Sequence, residues 1–254
     1  MPNGTIPEAR RYEHTYTNAK CLPHRLRFSD GNSYVVKFQG NPVGTIALIR
    51  EFVALELAQA AHFSIPGGGV VMVDEEFIAS AEQLNGLSAG LQFGSLVVSD
   101  RPCIFDPFYI DKISNRHQLA QVIVLDTLLC NCDRHEGNLL LVSDGDTKTL
   151  NSWRFFMIDH SHCFESLPFA SADFPLLLDR MDAYEECLTI PAACQNALQL
   201  EVAVAAVEAL SAQEITSICA RVPSEWGFSD TERDGLSAFL SARIDTLREI
   251  MKIS

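Results

Sequence analysis

The sequence has few basic residues for its length. Lysines and arginines number 19 against 33 aspartates and glutamates, which gives a formal net charge of −14 at pH 7 and a sequence pI of about 4.8. Proteins that bind nucleic acid present clustered basic side chains, whereas this surface would repel a polyanion. The composition therefore argues against direct nucleic-acid binding. A small triphosphate remains compatible, because one lysine, backbone amides and a metal ion suffice to bind it.

Paired-cysteine motifs, a secretion signal and long apolar runs are also missing. The 8 cysteines include no C-x-x-C pair. No stretch approaches the roughly 18 apolar residues of a membrane span, and the N-terminus carries no signal-peptide pattern. We therefore expect a cytoplasmic protein without membrane contact, whose cysteines are reduced and buried.

Apolar residues, in contrast, are plentiful. The chain is 47% hydrophobic and 20% charged, which predicts a globular protein with disorder confined to about the first ten residues, Met1 to Arg10. At 254 residues, a single compact domain and two lobes around a cleft are both open. No repeat or linker is visible. We place a lobe boundary near residue 98, with an N-lobe at 1–98 and a C-lobe at 99–254.

The most informative segment is a polar run at residues 133–138, with the sequence DRHEGN. A second aspartate, Asp159, follows at the end of a later apolar strand. This arrangement suits phosphoryl transfer to a hydroxyl: Asp133 would accept the hydroxyl proton, while Asn138 and Asp159 would hold Mg²⁺ on a triphosphate. The alternative is a charged loop with a local ion pair and an ordinary aspartate at a strand end.

The surroundings of this run predict how its residues come together. Residues 139–142 and 153–158 read as a β-hairpin with a turn at 143–146, which brings both ends of the motif to one place. Residues 116–130 are apolar on nearly every face and predict a central helix. Asp126 inside that helix needs a partner, and we expect it to accept hydrogen bonds from the backbone of the loop that follows; the alternative is a simple ion pair on the side of the helix.

The first part of the chain offers a candidate phosphate-binding lysine. Residues 25–38 alternate as a hairpin with Lys37 in the second strand. A helix predicted at 48–62, with Thr45 as its cap, carries Glu51 near its start. Glu51 could reach Lys37 and orient it onto the phosphates. The alternatives are a solvent-facing lysine and a solvated glutamate.

Further elements complete the outline. Strands are expected at 70–73 and 91–98, a short helix at 75–85, and adenine contacts from backbone groups near 97–100. The triple glycine at 67–69 is not a Walker-type loop, because no helix with Lys-Ser or Lys-Thr follows it.

The last part of the chain reads as helical packing. Helices are expected from Phe174 onward, with Ser211 capping one of them and either Ser229 or Asp230 capping the last.

Taken together, these stretches resemble the HipA-like kinase domain family, a bacterial branch whose fold is similar to that of the phosphatidylinositol 3- and 4-kinases. The resemblance rests on residues 125–140, on the strand ending at 157–160, and on 34–38 with the helix at 50–58. It implies an α+β, two-lobed protein-kinase-like fold. The N-lobe would be small and β-rich with one main helix, and the C-lobe mostly helical.

The resemblance also implies an activity. It suggests ATP- and Mg²⁺-dependent transfer to serine or threonine of a cytoplasmic protein, in a family several of whose members are growth-arresting toxins, and hence an antitoxin-like partner. Carried over by residue, Asp133 looks like the base and Lys37 the phosphate lysine, with Glu51 as its partner. Asn138 and Asp159 look like the metal ligands.

Two departures from kinase patterns and one residue need separate mention. His135 would steady the loop or touch the γ-phosphate, unless it is a structural histidine bonded to backbone. His160 follows Asp159 where an Asp-Phe-Gly motif has phenylalanine. No glycine-rich loop precedes the candidate lysine, so Thr15 and Thr17 in the segment 13–20 are the candidates for phosphate contacts.

Two other functions stay open at this point. Asp159, His160 and His162 could be ligands of a metal-dependent hydrolase, and a kinase fold could serve as a binding module without turnover. The phosphate acceptor is also open among a protein hydroxyl, a lipid headgroup and a small hydroxyl compound. The acidic composition and the lack of a basic amphipathic helix favour a soluble protein over a membrane lipid.

Overall fold

A five-stranded antiparallel sheet forms the first part of the molecule. The computed structural model describes residues 5–143, 152–164 and 197–253. The strands lie in the order β1-β2-β3-β5-β4. They are β1 (Ala9–Thr15), β2 (His24–Phe28), β3 (Ser33–Lys37), β4 (Gly68–Val73) and β5 (Gly90–Leu96).

One long helix accompanies this sheet. Helix α1 (Ile46–Ala60) connects β3 to β4, and α2 (Glu75–Ser80) precedes β5. Asp74 caps α2 by accepting a hydrogen bond from the amide of Phe77. The β2–β3 hairpin and α1 agree with the predicted elements to within about two residues, because their apolar periodicity is regular.

The second part combines a small sheet with helices. Strands β6 (Cys103–Ile104), β7 (Leu139–Ser143) and β8 (Trp153–Met157) lie in that order. The helices are α3 (Ala120–Leu129), α4 (Ala197–Glu208), α5 (Ala212–Ala220), α6 (Asp230–Asp245) and α7 (Leu247–Ile250). The predicted α+β architecture, with a β-rich N-lobe carrying one main helix and a largely helical C-lobe, is therefore confirmed.

Two apolar clusters hold these elements together. The smaller one lies on the sheet and includes Leu26, Phe28, Val36 and Val71. The larger one runs continuously from α1 through α3 and the β7–β8 hairpin to the C-terminal helices. Because α1 belongs to the larger cluster, its position is set by the C-lobe as well as by the sheet it follows. The lobe boundary near residue 98 remains our proposal.

A turn near Trp226 links the C-terminal region to the N-lobe. The indole Nε1 of Trp226 donates to the carbonyl of Leu91 in β5 at 2.8 Å, and its ring packs edge-on against Phe52 of α1 at 6.0 Å between centroids. Arg221 also forms an ion pair with Glu56 of α1. The C-terminal helices therefore hold α1 against β5.

Strand β1 corrects the predicted N-terminus. Residues 1–10 were expected to be disordered and 13–20 to form a loop, yet β1 begins at Ala9 and runs to Thr15. Pairing with β2 satisfies the backbone groups on one edge of β1, and just before the strand the carbonyl of Pro7 accepts a hydrogen bond from the amide of Met72. Thr45 is a second correction, because it stands at the N-cap of α1 without a side-chain cap bond.

Other expectations have mixed outcomes. Ser211 and Ser229 cap α5 and α6 through complete capping boxes, as predicted. The described cysteines are free, but Cys103 and Cys132 are exposed, so the prediction of buried thiols holds only in part. The turn expected at 144–146 and the start of the helical region at 174–196 lie outside the described residues.

Membrane-spanning segments were searched for in the same described ranges. No single helix there is long and apolar enough to cross a membrane. One sharply bent pair, Leu198–Glu208 with Ala212–Ala220, passes by length and composition only.

We expect Trp226→Ala to lower the free energy of unfolding by about 3–5 kcal/mol, since a large buried ring leaves a cavity. Trp226→Phe keeps a ring against Phe52 but loses the indole donor and part of the ring volume, so a smaller loss of about 1–2 kcal/mol is expected. Urea denaturation measures both losses. Equal losses in the two variants would show that the ring contact is not what holds α1.

Candidate active site

A cleft of about 610 Å³ lies between the five-stranded sheet and the β7–β8 hairpin. Six residues that the sequence singled out as catalytic, lysine-pairing or metal-binding line it. These residues are Lys37, Glu51, Asp133, His135, Asn138 and Asp159. Groups more than a hundred residues apart in sequence are thus brought to one cavity of a size typical for ligand sites.

Lys37 is buried at the centre of this cleft and forms ion pairs with two carboxylates. Its Nζ contacts Glu51 Oε1 and lies 2.8 Å from Asp159 Oδ1. The expected pair of Lys37 with Glu51 is therefore present, and a solvent-facing lysine is excluded, since Lys37 is only 6% exposed. Burial alone would lower the pKa of Lys37, but the two carboxylates outweigh burial and raise it well above its ordinary value.

The turn after β8 holds Asp159 in place. Asp159 adopts a left-handed conformation with φ of 57°, which is unusual for a residue with a side chain. Ser161 Oγ lies 2.6 Å from Asp159 Oδ1, and the amide of His160 donates to Glu51 Oε1 at 3.0 Å. Burial would raise the pKa of Asp159, yet Lys37 and Ser161 hold it far below the ordinary value. Asp159 is thus an anion in a fixed position.

Asp126 of α3 holds the loop at 131–138 in place. Arg134 donates from Nε to Asp126 Oδ2 at 2.7 Å and from Nη2 to Oδ1 at 2.9 Å, and Asn131 donates to the same carboxylate. The Arg134 Nη1 group also donates to the carbonyls of Asn138 and Ile158. Asp126 therefore contacts this loop as expected, but the donors named here are side chains, whereas backbone donors were predicted.

Asn138 and Asp159 meet at one end of the β7–β8 hairpin. The amide of Ile158, which precedes Asp159, donates to the carbonyl of Asn138 at 3.0 Å. Asn138 Nδ2 donates to the carbonyl of Asp133 at 2.9 Å, so its amide oxygen is available as an acceptor. A carboxylate and an amide oxygen are ligands that fit Mg²⁺.

His135 packs over its own loop. Its Nδ1 accepts a hydrogen bond from the amide of Gly137 at 3.1 Å. A Cβ at position 137 would come within 2.8 Å of the imidazole, so only glycine permits this packing. Since Nδ1 accepts, a neutral ring carries its proton on Nε2.

Apolar side chains and the segment expected to contact adenine also line the cleft. Val97 donates its amide to the carbonyl of Ser33, while Val98 and Ser99 line the cavity beside it. Asp100, which was included in the predicted adenine contacts, is instead exposed and paired with Arg25. Apolar walls come from Val35, Phe93, Leu140 and Met157.

The segment expected to cover the phosphates differs from the prediction. Thr15 lies in β1 and its hydroxyl bonds to His24 Nδ1 at 2.8 Å, whereas Thr17 does not line the cleft. Asn18 and Lys20 line it instead. Lys20 could have been found from the sequence as the basic residue of this loop.

The two histidines after Asp159 turn to different partners. His160 Nδ1 lies 3.8 Å from Glu51 Oε2, and His162 Nε2 lies 3.6 Å from Asp133 Oδ2. Within the described ranges, no three His, Cys, Asp or Glu side chains are arranged to hold a metal ion. A zinc site formed by Asp159, His160 and His162 therefore has no support.

Comparisons with known proteins give the family and the fold. Residues 10–252 match the sequence model of a family described as HipA-like kinase. No match was found among curated proteins. Among solved structures, the proinflammatory kinase CtkA of Helicobacter pylori is similar with a TM-score of 0.64 and 16% identity, over 98% of this chain and 100% of that chain. This likeness shows a kinase fold.

A second solved structure is more distant. The Rio2 kinase of Chaetomium thermophilum, in its ADP/Mg²⁺-phosphoaspartate complex, aligns with a TM-score of 0.41 and 13% identity. That alignment covers 94% of this chain and 72% of the other.

We expect Asp126→Asn to lower the free energy of unfolding by about 3–5 kcal/mol, because a buried guanidinium would then face a neutral amide. Asp111→Asn is the matched control. It breaks an exposed pair with Arg116 and should cost at most about 1 kcal/mol. Urea denaturation compares them, and similar losses would refute the role of Asp126 as the support of the loop.

Proposed function

Since the chain belongs to the HipA-like kinase family, we propose that it transfers the γ-phosphate of ATP, with Mg²⁺, to serine or threonine of a soluble protein. The observation that carries the proposal is the buried contact of Lys37 with both Glu51 and Asp159. It lies in the same cleft as Asp133 and Asn138. A lysine, two oxygen ligands and a carboxylate base are the groups that this reaction uses.

Each residue has a distinct part in the proposed reaction. Asp133 accepts the proton of the acceptor hydroxyl while the hydroxyl oxygen bonds to the γ-phosphorus. The bond between the γ-phosphorus and the bridging oxygen breaks, and its electron pair leaves with ADP. Asn138 and Asp159 would hold Mg²⁺, which neutralises charge on the phosphates when bound. His135 would donate from Nε2 toward the transferred group, while its Nδ1 accepts from the amide of Gly137.

Lys37 would change partners when nucleotide binds. In the structure its charge is balanced by Glu51 and Asp159. Phosphate oxygens would take over from Asp159, whose carboxylate would turn to the metal. A phosphate anion would thus replace one carboxylate at Lys37, and the metal cation would compensate the carboxylate that is released, so neither charge would be left buried without a partner.

The acidic composition bears on the acceptor. With 33 acidic against 19 basic residues, the protein would be repelled by an anionic membrane surface. We therefore propose that the acceptor is a cytoplasmic protein. More specifically, we propose that the chain acts as a toxin and has an antitoxin-like partner.

The direct test is incubation with γ-labelled ATP, Mg²⁺ and a bacterial lysate, followed by identification of labelled proteins. Label should appear on serine or threonine with the natural protein and be absent with Asp159→Ala, which removes a metal ligand. Retained transfer by Asp159→Ala would refute the proposal.

Nucleotide with Mg²⁺ should raise the melting temperature, because a ligand of the folded state adds about 2.7 kcal/mol at roughly a hundred times its Kd. In Lys37→Met this ligand-induced rise should largely disappear, whereas in Lys112→Met, an exposed lysine outside the cleft, it should persist. Differential scanning calorimetry with and without nucleotide measures the rise. Equal rises in the two variants would mean that Lys37 does not bind phosphate.

Asp133→Asn separates chemistry from binding. Turnover should fall by roughly two to four orders of magnitude, while the Kd for nucleotide measured by titration calorimetry stays within about twofold. Asp111→Asn, an exposed change of the same chemistry, is the control. Lost nucleotide binding would make Asp133 a metal or structural residue, and absent turnover in the natural protein would favour a binding module.

A further inference from the structure

The carboxylate of the candidate base has a neighbour that the reaction above does not use. His162 Nε2 lies 3.6 Å from Asp133 Oδ2, and the side chains are 15% and 39% exposed. The other contacts that described residues make with Asp133 are to its backbone. Its amide donates to Asn131 Oδ1, and its carbonyl accepts from Asn138 Nδ2. In the described part of the chain, His162 is therefore the group that meets this carboxylate.

The turn that carries His162 is fixed on both sides. Arg50 of α1 donates from Nη1 to the carbonyl of Ser161 at 3.0 Å. The amide of Phe164 donates to the carbonyl of Leu129, at the end of α3, at 2.9 Å. The thiol of Cys132, next to the base, contacts the carbonyl of His162 itself. The backbone that carries the imidazole is thus fixed near Asp133 by α1, by the end of α3 and by the loop at 131–138.

We propose that His162 is a positioning residue for Asp133, an inference that rests on the proposed function. An N–H at Nε2 directed at Oδ2 would fix the carboxylate and leave Oδ1 facing the acceptor hydroxyl. In the transfer step that hydroxyl proton passes to Oδ1, the acceptor oxygen bonds to the γ-phosphorus, and ADP leaves with the electron pair. A base oriented by a third group is a recurring arrangement in enzymes.

The present separation is longer than a hydrogen bond, and this is consistent with the proposal. Contacts between catalytic groups are often long without substrate and tighten in the complex. The neighbouring His160 lies near a different carboxylate, that of Glu51, so the two histidines do not compete for Asp133.

A double-mutant cycle tests whether His162 acts through Asp133. The assay uses γ-labelled ATP, and the acceptor is the lysate protein identified in the test of the proposed function. His162→Ala should lower kcat by up to roughly 100-fold, while the KM for ATP stays within about twofold. His162→Gln, which retains an N–H donor, should recover part of the loss. In the Asp133→Asn background, His162→Ala should cause no further loss. His117→Ala, an exposed histidine outside the cleft, is the control.

A spectroscopic test needs neither substrate nor turnover. In protein labelled with ¹⁵N-histidine, the ring signals of His162 are assigned by their disappearance in His162→Gln. They should shift in Asp133→Asn and stay unchanged in Asp111→Asn. A direct contact perturbs the ring, whereas a distant exposed change does not.

The two tests distinguish a failure of this inference from a failure of the proposed function. Unshifted His162 signals in Asp133→Asn would overturn this inference even if the kinase is active. Equal losses of kcat from His162→Ala in both backgrounds would overturn it as well, because His162 would then act independently. A natural protein without phosphoryl transfer would instead refute the proposed function, while the spectra would still report the contact.

Discussion

The structure depends on keeping a buried lysine charged. Lys37 lies inside the cleft, where an isolated ammonium would lose its proton or destabilise the fold. Glu51 and Asp159 provide the compensating charge, and they come from α1 and from the turn after β8. A sheet strand, a helix and a C-lobe turn must therefore be positioned together. Buried ion pairs contribute little net stability, so this cluster is better explained by function than by folding.

Most of the remaining architecture serves to hold those three elements. Trp226 packs on Phe52, the residue after Glu51, and hydrogen-bonds to β5. Arg134 joins α3 to both strands of the β7–β8 hairpin through Asp126 and the carbonyls of Asn138 and Ile158. Trp226 and Arg134 are both large, buried side chains, and their N–H groups donate to backbone carbonyls or to a buried carboxylate. The apolar clusters supply the stability, and these polar contacts set the register of the site.

The sequence predicts what is local. The β2–β3 and β7–β8 hairpins, α1 and the loop at 133–138 follow from periodicity and residue type. Strand β1 was missed because its sequence, ARRYEHT, is charged and suits an edge strand, which has little apolar signal. Contacts across 122 residues, as from Lys37 to Asp159, or across 135, as from Trp226 to Leu91, leave no local pattern. The pairing of Lys37 with Glu51 could be predicted because only 14 residues separate them, so they lie on a strand and on the helix that follows it.

The turn at 159–162 shows why departures from a motif need not change a site. His160 stands where phenylalanine was expected, but its link to α1 is made by the backbone amide, which any residue other than proline provides. Ser161 follows, and its hydroxyl binds the Asp159 carboxylate, a contact that glycine could not make. Asp159 itself is held in a left-handed conformation by these bonds and by Lys37. The side chains differ from the kinase pattern, while the carboxylate is still fixed beside the lysine and the helix.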